Sequence, residues 1–292
     1  MDQLLRQRAI SLYDRFTHEG MDRRLFMTEM TKIAGSIAAA QALIATIAAS
    51  PAAAAVVPAD DSRLITRKGP LGKEPGALNG YVAVPRAADG SKIGSVIVIH
   101  ENRGLNAHIE DVARRVALAG YFAVAPDFLT PSGGTPADED KAREAIGKLD
   151  LQASVASALA LADRTRKLQH SNGKVGVVGF CWGGAFVDRM AAAGGKRIDA
   201  AVAYYGPAPD PAEAARVKAP MLLHYAGLDT RVNATGEPWA AALKKNGANV
   251  EAYTYPDVNH AFNNDTSAER YNKEAADLAW RRTLDFFARY LR

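Results

Sequence analysis

Apolar positions along this chain follow two alternating periods. Ser95-Val96-Ile97-Val98-Ile99-His100 is a continuous β-branched run, too short for a helix, and predicts a strand buried on both faces. Tyr81–Val84, Tyr121–Ala125, Lys174–Val178, Ala200–Tyr205, Met221–Tyr225 and Val250–Tyr255 read the same way, several of them bounded by glycine or proline. Between them the period lengthens to that of a helix. Ile109–Ala119 places Val112, Val116 and Ala119 on one face and runs into Gly120, a residue suited to a left-handed cap. Ala153–Leu168, Ala185–Ala192, Glu237–Lys245 and Ala268–Arg289 are the other predicted helices. Thr130–Asp140, rich in proline, glycine and acidic residues, is expected to be a long loop over a cleft, and Pro58–Gly76 a leader or an early irregular hairpin. Strands and helices in alternation predict one α/β domain with a mostly parallel central sheet covered by helices on both faces. No internal repeat or linker divides it.

Bulk properties narrow the function only a little. A chain of 292 residues with 48% hydrophobic and 23% charged positions has ample material for a core. The net charge of +4 is spread over short clusters such as Arg114-Arg115 and Lys244-Lys245, which read as solvated helix faces, so no nucleic-acid partner is expected. The single cysteine excludes an internal disulfide.

The N-terminus carries its own pattern. Asp22-Arg23-Arg24-Leu25-Phe26-Met27 resembles a twin-arginine export signal, with Asp where Ser or Thr is usual. An alanine-rich run from Ile33 to Ala49 follows, too short for a confident membrane span, and Ser50-Pro51-Ala52-Ala53-Ala54 offers small-residue cleavage choices. Residues 1–55 are therefore expected to be a leader and residues 56–292 the α/β domain. On this reading the twin-arginine machinery is a partner and the protein is periplasmic or secreted. The alternative is an amphipathic N-terminal helix on a cytoplasmic protein.

The densest chemistry lies in Gly179-Phe180-Cys181-Trp182-Gly183. This is the G-x-nucleophile-x-G pattern of a nucleophile elbow, with cysteine in the place of serine. A strand that turns sharply into a helix holds the middle residue strained and presents its sulfur near a helix N-terminus, which favours thiolate. Glu101, Cys181, Asp229 and His260 each follow a predicted strand, where reactive residues of such sheets collect. A thiol needs a base or a positive neighbour; His260 can supply it, and Asp229 can fix the tautomer of His260. Plainer roles exist for each: an inert packed cysteine, Asp229 as a helix cap, Asn259-His260 as a loop pair, Glu101 as a cap or a partner of Arg103. The chain order nucleophile, acid, histidine favours the catalytic set.

His100-Glu101-Asn102-Arg103-Gly104-Leu105, Gly179–Gly184, Gly227-Leu228-Asp229 and His260-Ala261-Phe262 together resemble the dienelactone hydrolase family, as do Ala125-Pro126-Asp127-Phe128 and Ala203-Tyr204-Tyr205-Gly206. The resemblance runs from about Ala77 to Leu291. It implies an α/β-hydrolase fold and cleavage of an ester or lactone through an acyl-enzyme on Cys181, with His260 and Asp229 completing the triad. Glu101 would contact the resting thiol, and the backbone N–H groups of Asn102 and Trp182 would form the oxyanion hole. The family members that act on dienelactone hold its carboxylate with two arginines. Here the corresponding stretches, Phe128-Leu129-Thr130-Pro131 and Phe262-Asn263-Asn264, have none. Arg103 is the possible substitute, and a neutral ester or lactone fits at least as well, with Trp182, Tyr204, Phe128 and Phe262 as apolar walls. No cofactor is expected. His100-Glu101 opens like a zinc-protease motif, but Gly104 stands where its second histidine belongs, so no metal is expected either. The other classes compatible with the sequence are a thiol-based binding or redox-sensing protein and an acyltransferase.

Overall fold

A computed structural model describes residues 3–48, 55–88 and 91–292. After an N-terminal helical segment the chain enters β1 (Leu64–Pro70) and β2 (Asn79–Pro85), an antiparallel hairpin in the stretch read as a leader or hairpin. Strand β3 (Ile93–Ile99), helix α4 (Ala107–Leu118) and β4 (Phe122–Pro126) follow, numbered after three helices that precede β1. Next come α5 (Glu139–Gly147), α6 (Leu151–Arg166), β5 (Ser171–Phe180), α7 (Trp182–Gly194), β6 (Ala200–Tyr204) and β7 (Met221–Ala226). Helix α8 (Thr230–Lys245), β8 (Val250–Tyr255) and α9 (Lys273–Leu291) complete the fold.

The eight strands form one sheet in the order β1-β2-β4-β3-β5-β6-β7-β8. From β4 to β8 every pairing is parallel, and β2 runs against β1 and β4. The side-chain period of a strand explains the two core layers. In β3, Val96 and Val98 pack with Val112 and Val116 of α4 and Phe286 and Phe287 of α9. Ile97 and Ile99 face the other layer, with Leu159 of α6, Val187 of α7 and Leu243 of α8. This is the α/β-hydrolase arrangement expected from the sequence.

Three boundaries differ from the pattern-based expectation. The stretch expected to be a long loop holds a 3-10 turn over Thr130–Ser132, is irregular to Asp138, and gives way at Glu139 to α5, whose Asp138 cap accepts from Lys141 N. Helix α8 begins at Thr230, because Asp229 caps it, and it carries Pro238 internally. Helix α9 begins at Lys273, capped by Asn272, which leaves residues 256–272 as an irregular segment bearing His260.

The N-terminal segment is three helices, α1 (Gln3–His18), α2 (Arg23–Ala34) and α3 (Ile37–Ile47). Their punctuation is regular: Asp22 caps α2 through Arg24 N and Leu25 N, Gly35 ends it with φ 85°, and Ser36 caps α3. A small apolar core joins them, built from Ala9, Ile10, Leu12, Tyr13, Phe26, Met30, Ala40 and Ile47. Among the described residues no single helix is long and apolar enough to cross a membrane; α2 and α3 reach that length only together, bent by 102°. The cleavage choices at Ser50–Ala54 lie outside the described residues. The helices are packed against the loops at the carboxyl ends of the strands, which is where the candidate catalytic residues lie.

Candidate active site

Strand β5 delivers Cys181 at the turn into α7, with φ 56° and ψ −115°. Glycines on either side are required sterically. A Cβ on Gly179 would lie 2.1 Å from the carbonyl oxygen of Gly183, and one on Gly183 would lie 2.6 Å from those of Ile99 and His100. The other non-glycine residues with positive φ among the described residues are Tyr205, Asp257 and Ala261. Strain is thus gathered at the sulfur and around His260.

His260 sits early in the irregular segment after β8. Its Nδ1 is 2.5 Å from Oδ2 of Asp229, while Oδ1 of the same carboxylate accepts Val232 N at 3.1 Å. Asp229 therefore both caps α8 and orients the histidine. Because the carboxylate accepts, Nδ1 carries the proton and Nε2 is turned away from it. Nε2 is buried, has no hydrogen-bond partner among the described residues, and lies within 4.8 Å of Cys181 Sγ. Burial opposes charge on this ring, but Asp229 and the sulfur outweigh it and push the histidine up to about 10. Asp229 is buried as well, yet His260 holds its carboxyl below the usual value.

The hydrogen bond at the sulfur comes from an unexpected direction. Nε2 of His18, the last residue of α1, is 3.2 Å from Cys181 Sγ, and its ring meets that of His260 edge-on at 4.7 Å. Glu101, expected at the thiol, accepts from Asn264 Nδ2 at 2.9 Å through Oε2. No sequence signal in the α/β domain pointed to His18, because it lies outside that domain.

The remaining expected residues divide into two groups. Trp182 opens α7, so its N–H belongs to the first turn, whose donors have no intrahelical acceptor. Its ring stacks on His100 at 5.2 Å, and Phe128 meets both rings. Asn102 lies in the tight turn after β3, and its side chain donates to Thr17 O. Phe262 packs edge-on against Tyr205. Arg103 is buried and committed: it donates to Tyr13 Oη at 2.6 Å and pairs with Glu139 at 3.2 Å. Tyr204 faces the core rather than the site, since its hydroxyl meets Thr283 of α9 at 2.6 Å. Its neighbour Tyr205 stands against His260 instead, with ring centres 5.1 Å apart and a buried hydroxyl without a partner among the described residues. Two further groups were missed. Arg231 has a buried Nη2 without a partner among the described residues and lies close enough to His18 and Asp229 to depress both. The donor atoms of His18, Cys181 and His260 lie within 4.8 Å of one another, a set that soft divalent metals accept.

Residues 78–291 match the family model described as dienelactone hydrolase family. A candidate carboxymethylenebutenolidase of Escherichia coli O157:H7 is 31% identical over 258 residues, covering 83% of this chain and 94% of its own. One of Methylorubrum extorquens is 31% identical over 282 residues, covering 90% and 94%, so that match reaches into the N-terminal helices. The crystal structure of a candidate dienelactone hydrolase from Klebsiella pneumoniae superimposes with a TM-score of 0.70 at 29% identity, over 78% of this chain and 99% of its own.

Proposed function

Because this chain belongs to the dienelactone hydrolase family and is a hydrolase acting on esters or lactones, we propose that it works through an acyl-enzyme on Cys181 with His260 and Asp229 as the other triad members. The observation that carries this reading is the His260–Asp229 pair at 2.5 Å with a free Nε2 turned toward the elbow sulfur. The thiol proton passes from Sγ to His260 Nε2, and the imidazolium so formed is balanced by Asp229. Sγ then bonds to the ester carbonyl carbon, and the oxyanion is met by the N–H groups of Trp182 and Asn102. As the C–O bond breaks, His260 returns the proton to the leaving oxygen. Water, deprotonated by the same nitrogen, releases the acid and regenerates the thiol. Glu101, anchored by Asn264, serves as a second carboxylate beside this chemistry.

The substrate is proposed to be a small ester or lactone, since the catalytic groups are all buried. A specific observation favours an acidic one. With Arg103 spent on Tyr13 and Glu139, Arg231 is the cation near the triad with a spare donor, and it would hold a substrate carboxylate. Hydrolysis of paired neutral and anionic esters tests both statements. Loss in Cys181→Ala and His260→Ala supports the triad, and undiminished activity overturns it. A raised KM for the anionic ester alone in Arg231→Gln supports the acidic substrate. Full reversible thiol oxidation without turnover would favour a sensor, and ester formation with added alcohols an acyltransferase. Export remains a proposal that Arg23-Arg24 and the alanine-rich run support; N-terminal sequencing of periplasmic protein tests it.

A further inference from the structure

Helix α1 approaches the sulfur on a face defined by one-turn spacing. Tyr13 and Asp14 lie one turn before Thr17 and His18. Each of these four residues touches the α/β domain: Tyr13 through Arg103, Asp14 through Arg270, Thr17 O through Asn102, and His18 through Cys181. Gln7 bonds Asn259 beside the catalytic histidine, and Arg6 pairs with Glu269. At the far end of the segment, Ile47 O accepts from Ser267 Oγ and Arg270 Nε. The helices are thus tied to the loops after β3 and β8, on two sides of the sulfur.

The His18 ring is held in one tautomer. Nδ1 is 2.8 Å from Asp14 O, which can only accept, and 2.9 Å from Thr17 Oγ1, whose hydroxyl hydrogen is directed to main-chain carbonyls, so Nδ1 is the donor and Nε2 faces Sγ. The charged or titratable groups facing it are Asp14 on its own helix and Cys181, His260, Arg231 and Arg270 on the domain. Burial first, and then the positive neighbours His260 and Arg231, keep it neutral, well below 6.5. Two imidazoles therefore flank one sulfur with their environments pushing them apart: His260 takes a proton readily and His18 does not. A cleft of about 490 Å³ between the end of α1 and α5 includes Phe16, His18, Arg23 and Arg143 in its lining. Of the catalytic cluster, only His18 reaches it.

We propose that His18 is a catalytic-centre residue delivered by helix α1: its ring covers the sulfur of Cys181 in the resting enzyme, between the sulfur and the cleft at the end of α1, so that a substrate ester displaces the ring before Sγ attacks. This rests on Cys181 being the nucleophile. The contact shields the resting sulfur, and the asymmetry between the two rings keeps the proton on His260 rather than on His18.

The test uses the full chain, whose single cysteine makes labelling site-specific. Iodoacetamide alkylation is followed from pH 5 to 9 in the wild type, His18→Ala and His18→Gln. His18→Ala is expected to react at least about tenfold faster at pH 7, and His18→Gln, which keeps a polar side chain over the sulfur, to stay within about threefold of the wild type. Superimposable profiles for His18→Ala and wild type would overturn the proposal, and slower labelling would make His18 the base. Nitrogen NMR of the unmutated ring is the second measurement. An Nδ1–H tautomer whose Nε2 resonance moves on Cys181→Ala supports the contact, and an Nε2–H tautomer defeats it. Neither readout requires turnover, so a failed triad and a failed His18 assignment are distinguishable.

Discussion

The N-terminal helices and the α/β domain beneath them are held by different physics. The domain buries both faces of an eight-stranded sheet in two apolar layers, so its elements stand or fall together. The helices share a core of eight buried apolar residues and meet the domain mainly through polar contacts: Gln7–Asn259, Tyr13–Arg103, Asp14–Arg270 and His18–Cys181. Polar contacts exchange readily for water, and apolar burial does not. The helices are therefore expected to lift off at lower free energy than any strand opens. One region carries Cys181, Asp229 and His260, and the other lies over them.

The largest effect expected is in the domain. Cys181→Ala and His260→Ala should each lower kcat/KM for ester hydrolysis by roughly 10³-fold or more. Asp229→Asn comes next and separates the two roles of that carboxylate. Asparagine caps a helix about as well as aspartate, so thermal stability should hold while hydrolysis falls by about 10²- to 10⁴-fold. Asp229→Ala should add a loss of about 1 kcal/mol in stability, read by denaturant titration.

The cover has a pH dependence of defined sign. Docked, His18 is depressed well below 6.5; released, it returns to its ordinary value. The released form then binds more protons in the window below pH 6.5, so docking weakens as pH falls through it, by at most about tenfold per pH unit. Hydrogen exchange in Gln3–Ile47, corrected for intrinsic rates, should rise between pH 7.5 and 5.5 more in the wild type than in His18→Gln. Asp14, raised by burial, titrates in the opposite sense but is common to both proteins. An equal response in the two would detach His18 from docking. Arg270→Ala strips a buried partner from Asp14 and from Ile47 O, and should loosen the helices by about 1–3 kcal/mol. Limited proteolysis within residues 3–47 should then quicken while exchange in β3 and β5 stays unchanged. Arg23→Ala removes an exposed pair with Asp140 and should alter stability by less than about 0.5 kcal/mol.

What could be read in the sequence tracks this division. The buried strands and most helices announced themselves because burial on both faces forces continuous apolar runs and helical stripes. Cys181, Asp229 and His260 were legible because the elbow and the strand-end rule place chemistry at known points of such a sheet. Helix α5 was missed because its nine residues carry few apolar positions. The N-terminal helices bore legible punctuation in Asp22, Gly35 and Ser36, but the same residues composed a pattern resembling an export signal. Tyr204 and Tyr205 were indistinguishable in the sequence; the positive φ at Tyr205 breaks the strand alternation and turns it to His260.

The sequence by itself determined the sheet, the elbow and the order of Cys181, Asp229 and His260 at strand ends, because each is written in local periodicity or in residues adjacent along the chain. Only the tertiary structure decided what stands over the sulfur. His18 is 163 positions from Cys181, and Arg103 is 90 from Tyr13. No local pattern encodes contacts of that separation. They arise from the docking of one folded region on another, which turned Arg103 from a candidate substrate ligand into a tie and placed a neutral imidazole against the Cys181 sulfur.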